Sequence, residues 1–208
     1  MPMTQEGLAR LVQREGVAPE VVDAFRSVDR AGFVPPGSRR EAYRDRPVGL
    51  PAQQTTSQPS LIARMIDALK LRPDMRVLEV GTGYGFQSAL LARLAGDVYS
   101  IERHADLAEA ARRNLEEAGI ESVLVVVGDG WKGEPRFAPY DAIVVSAAAP
   151  EVPRALADQL AERGRMVIPV DQPRGTDVIL FEKRDDALQK VRVITPARFV
   201  PLIPEGPD

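Results

Sequence analysis

The sequence predicts an α/β domain built on a mostly parallel sheet. Short apolar runs rich in valine and isoleucine alternate with stretches whose apolar residues recur at helical spacing. One such run, at residues 77–80, leads directly into three glycines at alternate positions and then into an apolar helical pattern. The 208 residues suit one large domain, and a 44% hydrophobic composition is enough to fill its core.

Composition argues against several classes of function. The formal net charge of -3 gives no overall attraction to nucleic acid or to an anionic membrane. With no cysteine and a single histidine, His104, the chain has no disulfide and no thiolate or histidine metal site. No apolar run approaches about 18 residues, and the first residues lack the apolar core of a signal peptide. We therefore expect a cytoplasmic protein without metal, nucleic-acid or membrane partners. We also expect it to be a monomer.

The chain before the glycines is predicted to hold accessory helices and a loop. Residues 4–14 and 19–30 carry apolar residues at helical spacing. Residues 32–58 are irregular and rich in proline and arginine, and a loop of this length in a compact domain is usually functional or mobile. Ser57 fits the N-cap of the next helix, with Pro59 near the first turn, so capping is its simplest interpretation.

Residues 77–94 predict a strand, a tight turn and a helix. Glycine tolerates positive φ and has no Cβ, so a ligand can lie against the backbone of Gly81, Gly83 and Gly85. The unpaired N–H groups of the new helix point to the same place. A nucleotide-like cofactor is the natural occupant, and an ordinary glycine turn is the alternative.

The second predicted strand, residues 97–103, ends in Glu102, nineteen residues after Gly83. A carboxylate at the tip of the second strand of a βαβ unit can accept both hydroxyls of a ribose. This position favours an adenosine ligand, and a surface acid beside Arg103 is the alternative.

The third predicted strand, residues 122–131, is continuously apolar, as expected for a strand covered on both faces. At its end Asp129 lies between Gly128 and Gly130. An acid there can accept a hydrogen bond from the amino group of adenine while glycine leaves room for the ring. A plain turn is the alternative.

The remaining elements complete the sheet. They are a fourth, central strand at 140–150 with small residues at its end, a helix at 153–161, and strands at 164–170, 177–183 and 188–194. Asp185 and Asp186 suit a hairpin turn, so the last two strands are expected to pair antiparallel. The tail is predicted to be a loop whose Phe199, Val200 and Leu202 can pack over the cleft. Ligands of open α/β sheets bind at the carboxyl ends of strands, where all these candidate groups fall.

The segments TTSQPSLIARM, VLEVGTGYGFQSALLA, YSIER, VVGDGW, APYDAIVVSAAAPEVP and RMVIPV occur in this order along the chain. Together they resemble the protein-L-isoaspartate O-methyltransferase family over nearly the whole chain. The resemblance implies a Rossmann-like class I methyltransferase fold: a mostly parallel seven-stranded sheet with helices on both faces, extra N-terminal helices and an antiparallel C-terminal strand pair. It also implies methyl transfer from S-adenosyl-L-methionine to the free carboxylate of L-isoaspartyl residues in damaged proteins and peptides. S-adenosyl-L-homocysteine is the product, and the methyl ester opens repair through succinimide.

The resemblance also implies roles for individual residues. Methionine and ribose of the cofactor are expected against Gly81, Thr82 and Gly83, the ribose hydroxyls on Glu102, and adenine at Asp129 and Gly130. Ser57 matches the active-site serine of the family, and Gln58 and Ser60 are expected to bind the cofactor at its boundary with the substrate. Residues 1–208 then form one domain, with accessory helices and a substrate-side loop in 1–57 and the cofactor-binding core in 58–208.

One loop departs from the family pattern. Residues 48–56 are two residues longer than usual and lack the family's tyrosine. This leaves open a carboxyl methyltransferase of the same fold that acts on a different peptide or small-molecule acid. A third interpretation is a nicotinamide-dependent oxidoreductase or a silent nucleotide-binding module, but Phe86 stands where G-x-G-x-x-G has its last glycine.

Overall fold

Helices and a long loop precede the main sheet in the computed structural model, which describes residues 4–204. These first elements are α1 (Gln5–Gln13), α2 (Pro19–Ser27), a small antiparallel hairpin of β1 (Val48–Gly49) and β2 (Thr55–Thr56), and α3 (Pro59–Leu69). Both predicted accessory helices are present. However, α2 ends early, because Val28 is extended and residues 30–33 form a separate 3₁₀ turn.

The main sheet is formed by the rest of the chain. Its strands are β3 (Arg76–Val80), β4 (Asp97–Glu102), β5 (Val123–Val127), β6 (Tyr140–Val145), β7 (Leu160–Gln172), β8 (Gly175–Arg184) and β9 (Ala187–Pro196). They lie in the order β5-β4-β3-β6-β7-β8-β9, so β6 is central as predicted. The first five strands of this order run parallel, whereas β8 and β9 are antiparallel. The predicted seven-stranded sheet with its antiparallel pair is confirmed for the described residues.

Helices cover the two faces of the sheet unequally. Those that follow β3, β4 and β6 are α4 (Phe86–Leu91), α5 (Ala105–Glu117) and α6 (Arg154–Gln159). Helices α1 to α5 share one apolar core with Val77 of β3, whereas α6 contributes Leu156 to a second core that contains Leu78. Val77 and Leu78 belong to different cores because successive strand residues point to opposite faces. Helices on both faces are therefore confirmed.

The prediction that β5 is covered on both faces is wrong. This strand is at the edge of the sheet, where Leu124 is 46% exposed and Val127 is 45% exposed. Only Val125 of the strand is buried. An apolar run predicts that a segment forms a strand. The position of that strand in the sheet depends on the crossover connections between strands, which the run does not encode.

The C-terminal part of the chain closes the sheet and then crosses its edge. Asp185 and Asp186 both have positive φ, which confirms the predicted hairpin turn between β8 and β9. After β9 the chain returns over the carboxyl ends of the strands, where Leu202 N donates to Ala148 O at 2.6 Å and Ala148 N donates to Val200 O at 2.8 Å. Residues 205–208 of the predicted terminal loop lie outside the described residues.

Candidate active site

The glycine turn joins β3 to α4 and forms the floor of a cavity. Gly81, Gly83 and Gly85 have φ angles of 95°, 57° and 89°, which other residues rarely adopt. A Cβ on Gly81 would lie 3.3 Å from Cβ of Ser146, and one on Gly83 would lie 3.2 Å from Cδ1 of Leu50. The predicted strand, turn and helix are confirmed, and the backbone of the turn is accessible from the cavity.

This first cavity opens at the carboxyl ends of β3, β4 and β6, as the strand pattern predicted. The predicted site residues that line it are Ser57, Gly81, Thr82, Gly83, Glu102 and Gly130. Apolar side chains of Ile101 and Leu107 form part of its wall, and the returning C-terminal segment adds Val200 and Leu202. The cavity thus combines an apolar wall with a small number of polar groups, which is typical of a site for a small molecule.

Glu102 connects the end of β4 to the glycine turn. Its Oε2 accepts a hydrogen bond from Gly83 N at 2.9 Å, and its Oε1 accepts one from His104 N at 3.0 Å. The residue is only 6% exposed but lines the first cavity. Because a carboxylate oxygen can accept more than one hydrogen bond, both oxygens retain capacity for a ligand hydroxyl.

Gly130 and Asp129 follow β5 but face different surroundings. A Cβ on Gly130 would lie 2.4 Å from Cγ1 of Val80, so only glycine fits at this wall of the first cavity. The Asp129 carboxylate accepts a hydrogen bond from Trp131 N at 2.8 Å and lies 3.9 Å from Nζ of Lys132. Asp129 is outside the lining of the cavity, so its contact with adenine stays a prediction.

Ser57 is not the N-cap of α3. Gln58 occupies the capping position. The backbone N–H of Ser60, in the first turn of the helix, donates to Oδ1 of Asp45 at 2.9 Å. A carboxylate from a distant part of the loop therefore does the capping that the sequence pattern assigned to Ser57. Within residues 4–204, the Ser57 hydroxyl has no hydrogen-bond partner and is available to a ligand.

A second cavity adjoins the first on the other side of Ser57. Both are lined by Thr55, Ser57, Ser146 and Val200. The second cavity also contacts Gln58, Leu61, Arg64 and Arg198. Gln58 thus faces this second cavity, while Ser60 is buried in the first turn of α3, where its hydroxyl accepts a hydrogen bond from Nε2 of Gln58 at 3.0 Å.

A buried polar network lies beneath the glycine turn, and it was not predicted from the sequence. Glu79 of β3 is fully buried and accepts hydrogen bonds from the hydroxyls of Ser88 and Ser100 and from Nε2 of Gln87. Gln87 also donates to Oγ of Ser146 at 3.0 Å, which links the network to both cavities. The available signal was a lone acid inside the apolar strand pattern of residues 77–80.

The groups that line the two cavities can orient bound reactants through hydrogen bonds and charge. The polar groups of the cavities are hydroxyls, backbone amides, glutamine side chains, the Glu102 carboxylate, His104, and the guanidinium groups of Arg103, Arg64 and Arg198. Among residues 4–204, no three His, Cys, Asp or Glu side chains are grouped as a metal site requires. No helix within residues 4–204 has the length and apolar content needed to span a membrane.

Comparison with known proteins gives a consistent result along the chain. A family model described as Protein-L-isoaspartate(D-aspartate) O-methyltransferase matches residues 3–206. A protein-L-isoaspartate O-methyltransferase of Methanoculleus marisnigri is 46% identical over 193 residues, which cover 92% of this chain and 87% of that protein.

Solved structures agree with this match. A protein-L-isoaspartate O-methyltransferase superposes with a TM-score of 0.86 at 33% identity, covering 95% of this chain and 65% of that one. A Plasmodium falciparum chain assigned to the same activity, in complex with S-adenosyl-L-homocysteine, superposes with a TM-score of 0.82. The match covers 96% of this chain and 98% of that one. Because the two chains are only 23% identical, it supports the fold alone.

Proposed function

Because the chain belongs to the protein-L-isoaspartate(D-aspartate) O-methyltransferase family, we propose that the first cavity binds the methyl donor and the adjoining second cavity binds the damaged peptide. The enzyme transfers a methyl group from S-adenosyl-L-methionine to the free carboxylate of L-isoaspartyl residues, and this ester opens repair through succinimide. A carboxyl methyltransferase for another acid is not favoured, since relatives that match most of the chain are named for isoaspartate.

The first cavity fits S-adenosyl-L-methionine. Its glycine turn offers main chain to which a ligand can bind directly, and both oxygens of Glu102 retain capacity for ribose hydroxyls. Gly130 lines the same cavity, and because it has no Cβ its main chain packs directly against Val80. When bound, the cofactor supplies a methyl group already activated on a sulfonium. The residues proposed to hold it are Gly81, Thr82, Gly83, Glu102, Asp129 and Gly130.

Ser57 carries the proposal, because it lines both cavities and its hydroxyl has no partner within residues 4–204. A group bound in either cavity can therefore reach this hydroxyl. We assign the second cavity to the isoaspartyl peptide. Gln58 lines this cavity, while the buried Ser60 lines neither cavity and supports Gln58 by accepting its hydrogen bond. The side chain of Ser57 donates a hydrogen bond to the substrate carboxylate and directs it toward the first cavity.

The reaction requires alignment rather than a catalytic base. A carboxylate with an ordinary pKa of about 4 is already ionised at neutral pH, so no side chain has to remove a proton. Holding two reactants in line contributes about 7–11 kcal/mol to lowering a barrier. A hydrogen bond from Ser57 to the charged carboxylate contributes about 1.5–3 kcal/mol to this lowering of the barrier.

Substitution of Ser57 tests the assignment. We expect Ser57→Ala to lower kcat/KM for an isoaspartyl peptide by about 10- to 100-fold, because the orienting hydrogen bond is lost. Affinity for S-adenosyl-L-homocysteine, measured by calorimetry, is expected to stay within about twofold, since the hydrogen bond is to the carboxylate. Ser57→Thr keeps a hydroxyl and is expected to retain more activity than the alanine variant. Unchanged kcat/KM in Ser57→Ala would remove the assignment.

A matched pair of peptides tests the substrate. One contains an L-isoaspartyl linkage and the other a normal aspartyl linkage at the same position. Transfer of labelled methyl from S-adenosyl-L-methionine is expected to the isoaspartyl peptide alone. Cofactor binding without transfer to either peptide would instead favour a different acid, selected by the altered loop at residues 48–56.

Several finer expectations remain proposals. We propose that residues 1–208 act as one domain, divided into a substrate-side part at 1–57 and a cofactor-binding core at 58–208. The net charge of -3 supports protein or peptide partners over nucleic acid and anionic membrane. A cytoplasmic monomer stays a prediction, which light scattering of the purified protein tests for the oligomeric state.

A further inference from the structure

Arg30 is a buried cation that holds the loop in front of Ser57. Its side chain is completely buried between α2 and the loop. One terminal nitrogen, Nη1, donates to the carbonyl oxygens of Ala42 and Arg44 at 3.0 and 3.1 Å. The other, Nη2, donates to Arg46 O at 3.3 Å, Thr56 Oγ1 at 2.8 Å and Ser57 O at 3.1 Å.

These acceptors belong to both ends of one loop. Ala42, Arg44 and Arg46 lie on the segment that enters the β1–β2 hairpin, while Thr56 and Ser57 lie on the segment that leaves it. A guanidinium presents its donors in a rigid plane, so its two terminal nitrogens fix the separation and direction of both segments. The compact ammonium of lysine cannot reproduce this arrangement.

The charge of Arg30 is retained despite its burial. Burial lowers the pKa of the guanidinium to about 10, with an opposing contribution from Asp45, so the group stays protonated at neutral pH. A buried cation is costly unless it is paired and hydrogen-bonded. Here carbonyl dipoles on the loop provide that compensation, and the face of Phe86 lies 5.6 Å from the guanidinium carbon. The loop conformation and the buried charge therefore depend on each other.

We propose that Arg30 is a positioning residue for methyl transfer, which acts by fixing the main chain of Ser57 at the boundary of the two cavities. This inference rests on the proposed role of Ser57. Of the hydrogen bonds described for Arg30, those at the site reach only Thr56 and Ser57, and none reaches the glycine turn or Glu102. Loss of the guanidinium consequently misplaces the Ser57 hydroxyl, while the hydrogen bonds that Glu102 accepts from Gly83 and His104 are retained.

A double-mutant cycle on the full chain tests the proposal. Arg30→Lys keeps the charge but not the planar donors, and we expect kcat for an isoaspartyl peptide to fall by about 10- to 100-fold, as small misplacements near a reacting centre do. The affinity for S-adenosyl-L-homocysteine is expected to stay within about twofold. Because Arg30 acts through Ser57, the Arg30→Lys/Ser57→Ala double variant should be no slower than Ser57→Ala alone. Arg174→Lys, the same change at an exposed site, is the matched control.

Effects of Arg30→Lys and Ser57→Ala that multiply in the double variant would overturn the proposal, as would unchanged kcat in Arg30→Lys. An equal loss of cofactor affinity would indicate a merely structural role and would overturn it too. Should Arg30→Lys fail to fold, Thr56 provides a second test, with Thr56→Val expected to lower kcat more than Thr56→Ser, which keeps the acceptor. Unchanged kcat/KM in the Ser57→Ala single variant would instead overturn the proposed function itself.

Discussion

Glu79 lies beneath the glycine turn, and its environment decides its protonation. Burial raises the pKa of this carboxyl to about 7, while hydrogen bonds from Ser100, Ser88 and Gln87 act in the opposite direction. The network joins Glu79 to Ser146 through Gln87, and Ser100 also lies 2.6 Å from Oγ1 of Thr82. A side chain that never meets the cavity thus supports two residues that line it.

The raised pKa of Glu79 has a consequence for stability. The folded protein retains a proton that the unfolded chain releases above pH 4.5, so the contribution of Glu79 to the free energy of unfolding falls as pH rises from about 4.5 to about 7. Glu79→Gln cannot ionise and escapes this loss. We expect the difference in unfolding free energy to shift in favour of Glu79→Gln by about 2 kcal/mol between pH 5 and pH 8. Urea denaturation at both values measures it, and parallel pH profiles would contradict it.

At the scale of elements, the C-terminal segment completes the first cavity. Its main chain pairs with Ala148 after β6, and Leu202 O accepts a hydrogen bond from Nε1 of Trp131 at 2.9 Å. Ile203 O accepts another from Arg103 at 2.9 Å. These contacts connect residues that follow β4, β5 and β6, so the segment holds the carboxyl ends of three strands together around the cavity.

Removal of one of these contacts should weaken cofactor binding. Trp131→Phe keeps an aromatic ring but loses the N–H that holds Leu202, and a hydrogen bond of this kind is worth about 0.5–1.5 kcal/mol. We expect the Kd for S-adenosyl-L-homocysteine, measured by calorimetry, to rise by about 2- to 10-fold. Phe137→Leu trims an aromatic side chain in the same core without touching the segment, and serves as the control. Equal affinity in both variants would contradict the expectation.

At the scale of the whole molecule, the second cavity is built from both halves of the chain. Arg64 comes from α3 near the N-terminal loop, and Arg198 follows β9. Arg64 Nε is buried without a hydrogen bond and lies 3.5 Å from Oε2 of Glu15, while Arg198 is exposed. None of the residues that line this cavity is an Asp or Glu. Because Arg64 is paired with Glu15, the positive charge that the proposed peptide site presents is that of the exposed Arg198, although the protein as a whole carries a net charge of -3.

This charge predicts a preference among substrates. An isoaspartyl peptide with a glutamate next to the damaged residue should have a higher kcat/KM than one with a lysine there, by about two- to fivefold for an exposed ion pair. The ratio should shrink in Arg198→Gln and at high salt, because screening weakens the attraction. Arg174→Gln, an exposed arginine away from the cavity, should leave it unchanged. A ratio that is the same in all three proteins would show that the cavity does not sense charge.

The sequence by itself was sufficient for features that local patterns encode. Strand, glycine turn and helix followed from the order of apolar residues and glycines between Val77 and Leu94, and the antiparallel end of the sheet followed from Asp185 and Asp186. Glu102 was placed by its spacing from Gly83, and the structure joins the two by a hydrogen bond. Such features are predictable because backbone preferences and hydrophobic period act over a few residues.

Only the tertiary structure decided the features that depend on distant partners. Ser57 looked like a helix cap, but the acceptor for Ser60 N comes from Asp45. The apolar run of β5 looked buried, yet the crossovers leave that strand at an edge. In the sequence, nothing distinguishes Arg30 from the neighbouring arginines. Its hydrogen bonds to the loop carbonyl oxygens form only in the folded protein. The physical reason is that burial and hydrogen-bond pairing are set by contacts between segments, which no local pattern contains.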